Sequence, residues 1–113
     1  MRISEEATHR LSLLKGRTSL TPNILCRIAF CLSLKESGLP NENKDSQGQE
    51  FNRYTLTGEW DTFYMALLKM RLINDGQDPN QDLLMPFKEH IERGVILLYN
   101  RVKAFKDLSD LLQ

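Results

Sequence analysis

Long apolar runs are missing from this 113-residue sequence, which holds no stretch of about 18 uncharged apolar residues, so no membrane-spanning helix is expected. Net charge is missing too: 15 Lys and Arg balance 15 Asp and Glu. Nucleic-acid-binding domains are usually basic overall, so composition gives no argument for such a partner. Only a local gathering of cations can supply one. Cysteine is scarce. Cys26 and Cys31 lie five positions apart on a predicted helix, about 500° of rotation, which puts them on different sides of the rod. A disulfide is not expected, and two cysteines make no zinc site. Both read as buried thiols of a cytoplasmic protein.

Histidine is equally sparse. His9 and His90 stand far apart, and Glu89-His90 lacks the second histidine of a zincin motif, so both read as surface or boundary residues. Gly16-Arg17-Thr18-Ser19 has neither the length nor the lysine placement of a phosphate-binding loop. No nucleophile has a base at a spacing that brings the two together. No metal, no cofactor and no enzymatic activity of the chain by itself is expected. The opening residues MRISEEATHR carry acids where a signal peptide has an apolar core, so a cytoplasmic location is expected.

What is present suits one packed domain over residues 1–113, with 41% apolar and 27% charged residues. Ser4 is a predicted N-cap, with Glu5 and Glu6 in the first turn where the helix dipole favours acids. Ile3, Ala7, Leu11 and Leu14 form one apolar stripe, and Gly16 is the predicted stop. Thr21-Pro22 opens a second helix reaching about Leu34. Ile24, Leu25, Cys26, Ile28, Ala29, Phe30, Cys31 and Leu32 make it apolar on most sides, which predicts burial on most sides.

From about residue 37 to 57, turn formers and few large apolar groups predict a loop, long enough to be functional or mobile. A third helix is expected from about Glu59 to Asn74, ended by Gly76 and Pro79. Its Trp60, Phe63 and Tyr64 read as core or subunit interface. Residues from Gln81 to about Leu112 read as helix nearly throughout, with Gly94 marking a break or a close approach by another helix. Arg93, Arg101, Lys103 and Lys106 could form a solvated stripe along it. The expected fold is mostly α, four to five helices with at most one very short N-terminal strand.

The N-terminal residues RISEEATHRLSLLKGRTSLTPNILCRIA resemble the ribbon-helix-helix family of DNA-binding proteins. Ile3-Ser4-Glu5-Glu6 matches the strand-to-helix entry, Arg10-Leu11 and Leu14 the first helix, and Lys15, Arg17-Thr18 and Leu20-Thr21 the turn. Ile24, Leu25, Arg27, Ile28 and Ala29 match the second helix. The N–H groups near Thr21 and Asn23 can receive a DNA phosphate, and Lys15 and Arg17 stand just before them. Only Met1, Arg2 and Ile3 precede the first helix, so the base-reading strand is nearly absent and strong sequence readout is not expected. Ser19 stands where that family usually has glycine.

Three longer stretches, RISEEATHRLSLLKGRTSLTPNILCRIAFCLSL, GQEFNRYTLTGEWDTFYMALLKMRL and HIERGVILLYNRVK, resemble the DndE family over nearly the whole length. The resemblance implies a place in the bacterial system that swaps a non-bridging phosphate oxygen of DNA for sulfur, whose other subunits carry the sulfur chemistry. It further implies a small, helical, self-associating DNA binder with a preference for nicked duplex, and a tetramer. The expectation is a non-enzymatic DNA-binding subunit that touches backbone phosphates through Lys15, Arg17, Thr21 and Asn23. Self-association is expected through Ile24, Ile28 and Leu32. A protein-binding adaptor of the same complex and a ribbon-helix-helix-like repressor stay open as alternatives.

Overall fold

The computed structural model describes residues 1–103 and 105–111, with the backbone alone at 105, 108 and 109. Among the described residues, four long helices and two short ones carry the expected mostly α fold. Helix α1 (Glu5–Thr18) starts where Ser4 Oγ accepts the Ala7 N–H at 3.0 Å. It runs through Gly16, the predicted stop, and ends two residues later. Thr18 closes the turn by donating its hydroxyl to Leu14 O and accepting the Leu20 N–H. Ser19 then takes the left-handed conformation, φ 64°, that glycine usually fills, and its N–H reaches Lys15 O.

Helix α2 (Pro22–Lys35) begins as predicted, with Thr21 as cap and proline at the first position. Residues 53–57, expected to be loop, form the short helix α3 (Arg53–Thr57) because Asn52 Oδ1 accepts the N–H groups of Tyr54 and Thr55. That turn buries Leu56 and Thr57. One 3-10 turn at Gly58–Trp60 leads into α4 (Asp61–Asn74), and Arg53 grips Asp61 with two bonds of 3.0 and 2.8 Å across the junction. The predicted final helix divides. Helix α5 (Leu84–Arg101) ends at Val102, whose backbone is extended, and α6 (Phe105–Leu111) follows. Leu112, the predicted end, lies outside the described residues.

Helix α2 is the hub and packs most extensively on α5. Gly94 makes this possible and does not break the helix. A Cβ there would lie 1.7 Å from the Ala29 carbonyl oxygen, so the two backbones touch where neither residue has bulk. Around this contact Leu25, Cys26, Ala29 and Phe30 meet Ile91, Val95 and Leu98, with Leu11 and Leu14 of α1 and Leu68 and Leu72 of α4 completing the core. Phe30 stands edge-on to Phe87 at 5.0 Å between centroids.

The extended N-terminal residues pair with the chain's own segment 48–51. Ile3 N–H donates to Gln49 O, Gly48 N–H to Ile3 O and Phe51 N–H to Met1 O, and Arg2 and Glu50 form an isolated antiparallel bridge. Residues 38–51 thus act as a strap. Arg71 and Arg93 hold its start by Gly38 O, and Lys88 Nζ holds its middle by Asp45 O and Ser46 Oγ.

Candidate nucleic-acid interface

The turn between α1 and α2 brings the four DNA-contact candidates onto one end of the helix pair. Lys15 is exposed in the last turn of α1, and Arg17 is half-buried two residues on. Both sit at a helix C-terminus, where the dipole favours cations. Thr21 is exposed and Asn23 half-buried at the start of α2. Thr21 Oγ1 accepts the Ile24 N–H at 3.4 Å, and Pro22 has no N–H. That leaves the Asn23 N–H to be offered outward, fewer donors than a bare helix start provides.

Arg17 turns out to be one of three cations on a single aromatic ring. Its guanidinium carbon lies 4.8 Å from the centroid of Tyr99, that of Arg10 lies 5.7 Å away and Lys103 Nζ 5.3 Å away. Arg10 and Arg17 are seven residues apart on α1, about two turns, and so share a face. Tyr99 comes from the last turn of α5, and Lys103 from just beyond it. Glu6 pairs with Arg10 at 2.6 Å. Among the described residues neither Arg17 nor Lys103 makes an ion pair. Arg17 reaches the Val102 carbonyl at 3.5 Å, and Asp107 accepts the Lys103 backbone N–H at the edge of the group. A cation over a ring face gains about 0.5–1 kcal/mol at an exposed site. The ring therefore stabilises each cation without neutralising it, and an anion would be favoured here.

Most other cations are committed to structure. Arg71 and Arg93 bond the last carbonyls of α2, with Arg93 Nη2 on Ser33 O at 2.7 Å and Arg71 Nη1 on Leu34 O at 2.8 Å. Arg27 donates to Leu56 O, Arg53 pairs with Asp61, and Arg101 with Glu36. The solvated stripe expected along the last helix is formed only in part, since Arg101, Lys103 and Lys106 are exposed but do not share one helix. Arg93 is taken up capping α2, Arg101 pairs with Glu36, and the end of α5 at Val102 carries Lys103 to Tyr99. Arg10, Lys103 and Tyr99 escaped the sequence reading as a group. The seven-residue spacing of Arg10 and Arg17 was a usable signal, whereas nothing local announced the ring.

Two titratable groups lie deep. His90 is buried, against the expectation of a surface or boundary residue, because Ser33 supplies a polar neighbour inside the core. Ser33 Oγ accepts from Arg93 Nε at 2.8 Å and shares a hydrogen bond of 2.8 Å with His90 Nδ1. Burial, with Arg93 and Arg71 adding to it, pushes the His90 pKa down to about 4. Cys26 is buried, and burial, with nearby Glu92 adding to it, pushes its thiol up to about 12. Cys31 differs from expectation. It is half-buried in a shallow groove with Ile28, Tyr64 and Leu111, and burial still raises its pKa. Among the described residues no three His, Cys, Asp or Glu side chains group to hold a metal. No described helix is long and apolar enough to cross a membrane.

Of the self-association candidates, Ile24 is exposed, Ile28 is half-buried and Leu32 is covered by the chain's own core. A larger apolar surface runs along α4 and the turn before it, where Trp60, Phe63, Met70 and Ile73 are each more than half exposed.

The sequence matches the DndE family, described as DNA sulphur modification protein DndE, over residues 1–106. No curated protein matches. Among solved structures the fold is similar to a crystal structure of DndE from Escherichia coli B7A, described as involved in DNA phosphorothioation modification. The TM-score is 0.72 at 28% identity, covering 87% of this chain and 93% of that one. With the match running through every long helix, this chain belongs to the DndE family of DNA sulphur modification proteins.

Proposed function

We propose that this chain is a non-enzymatic DNA-binding subunit of the bacterial DNA phosphorothioation system. It holds duplex DNA, nicked duplex included, by the backbone phosphates and without strong sequence readout. The observation that carries the reading is the placement of Lys15 and Arg17, neither ion-paired among the described residues, at the α1–α2 turn of a family concerned with modifying DNA. Phosphate contacts from such groups position a protein without reading bases. The segment that reads bases in ribbon-helix-helix proteins is bonded here to residues 48–51 of the same chain, which speaks against a repressor role.

The buried polar groups serve packing: Glu92 bonds Ser4, and His90 bonds Ser33. Their commitment supports a positioning role, with the sulfur chemistry left to other subunits of a cytoplasmic complex. Exposed Ile24 and the apolar face of α4 support a homo-oligomer, a tetramer in this reading. The same α4 face favours the second reading, an adaptor whose main partner is another protein.

Labelled intact and nicked duplexes of two unrelated sequences, titrated at several salt concentrations, separate these readings. The DNA-binding reading expects similar affinity for both sequences and a log Kd linear in log salt, about 0.9 per phosphate contacted. No binding to either duplex at low salt would leave the adaptor.

A further inference from the structure

We infer that Tyr99 is a positioning residue that assembles Arg10, Arg17 and Lys103 into one phosphate-binding site. This rests on the DNA-backbone reading above and adds to it two cations and a ring outside the α1–α2 turn. The three charged groups come from two places in the chain, α1 and the segment after α5, and what they share is one ring. Long cationic side chains in water ordinarily spread apart, because they repel one another. Here one ring, negative on its faces, gives all three a common anchor within 6 Å of its centroid.

The site also stands open. Lys103 is exposed, Arg17 is half-buried, and neither is ion-paired among the described residues. Arg10 keeps Glu6 at 2.6 Å, a contact between neighbouring turns of one helix that an arriving phosphate can displace or share. A phosphodiester oxygen accepts from guanidinium and ammonium donors alike, and two guanidinium groups and one ammonium suit it well. The ring meets the guanidinium carbons of Arg10 and Arg17 and the ammonium of Lys103, and donors turned away from it can still reach an anion. Its contribution to binding is therefore indirect.

The test uses the full chain carrying Tyr99→Leu, Tyr99→Phe or the pair Arg10→Gln with Lys103→Gln, each checked by circular dichroism and oligomer mass. Duplex affinity is measured by anisotropy at five salt concentrations, and inorganic pyrophosphate is titrated in parallel by thermal shift. Tyr99→Leu should weaken duplex binding about tenfold and flatten the salt slope by about one unit, as loss of a phosphate contact does. Tyr99→Phe keeps the ring face and should match the wild type. A purely structural role for Tyr99 would lower the melting temperature and the active fraction but leave the slope of the folded molecules unchanged. Where Tyr99→Leu fails to fold, the Arg10/Lys103 pair carries the test, with the same loss of slope expected. Wild-type slope and affinity in the folded variants would overturn the assignment. A wild type that binds no duplex, yet is stabilised by pyrophosphate in a Tyr99-dependent way, would keep the anion site and sink the DNA reading. Stabilisation by neither ligand would end both.

Discussion

Ser4 and Glu92, 88 residues apart, are joined by two parallel bonds: the Ser4 N–H donates to one carboxylate oxygen and the Ser4 hydroxyl to the other, each at 2.8 Å. Ser4 is also the cap of α1, and Glu92 is buried on α5, so one carboxylate fixes where the first helix begins against the last long one. Replacing Glu92 with alanine leaves a buried N–H and a hydroxyl unsatisfied. It should destabilise the fold by about 3 kcal/mol, read from urea denaturation. A loss below about 1 kcal/mol would mean that water replaces the carboxylate without difficulty.

Two glycines on helices should respond oppositely to alanine. At Gly94 the new methyl would strike the Ala29 backbone at 1.7 Å, so α2 and α5 must move apart, at a cost of about 3 kcal/mol or more. At Gly16 nothing lies within 4 Å, and helix propensity should instead give a gain of about 0.5–1 kcal/mol. Thermal melts of the two variants check the pair.

These two residues also show what could be read before folding. The caps Ser4 and Thr21, the proline start of α2 and the apolar rhythm are local signals, and each lies where it was expected. Gly16 misled because the stop depended on Thr18 and Ser19 closing the turn, and only backbone bonding reveals that. The short helix at Arg53–Thr57 hung on a single asparagine inside a polar stretch. His90 was misplaced because its surroundings come from Ser33, 57 positions away. In the candidate site, Lys15 and Arg17 were legible as cations near a helix start. The ring that gathers Arg17 with two others belongs to an element met only in three dimensions.

Acid should weaken the fold through His90. Its folded pKa is about 4, below the ordinary 6.5, so the unfolded chain takes up the proton first. The contribution of neutral His90 is complete above about pH 6.5 and declines as pH falls toward 4. Glu89 works in the opposite sense, because burial raises its pKa. Stability of the wild type and of His90→Gln, measured across this range, should converge as pH drops. A gap that stays constant would show that His90 does not titrate there.

Neither cysteine should be needed for sulfur transfer. A carrier thiol needs exposure and a lowered pKa, and burial raises the pKa of both Cys26 and Cys31. Cys26→Ala with Cys31→Ala, placed in the complete modification system, should leave DNA sulfur content unchanged. Loss of modification by a folded, assembled double variant would make one of them a carrier.

Self-association can be located by charge. Ile28→Glu and Met70→Glu probe the α2 and α4 faces separately, with sedimentation velocity as the readout. The expected wild type is a tetramer that at least one substitution reduces to smaller species. A wild type that stays monomeric at micromolar concentration would contradict the oligomer reading.

The central claim is that the α1–α2 turn grips DNA phosphate, and the salt dependence of one double variant tests it most directly. Lys15→Ala with Arg17→Ala, confirmed to keep its oligomeric state, is titrated against labelled duplex by anisotropy from low to physiological salt. The account predicts weaker binding to every sequence, intact or nicked, and a slope flatter by about one unit per contact removed. Unchanged affinity and unchanged slope would contradict it and send the search to Arg2, Lys35, Lys44 and Arg53.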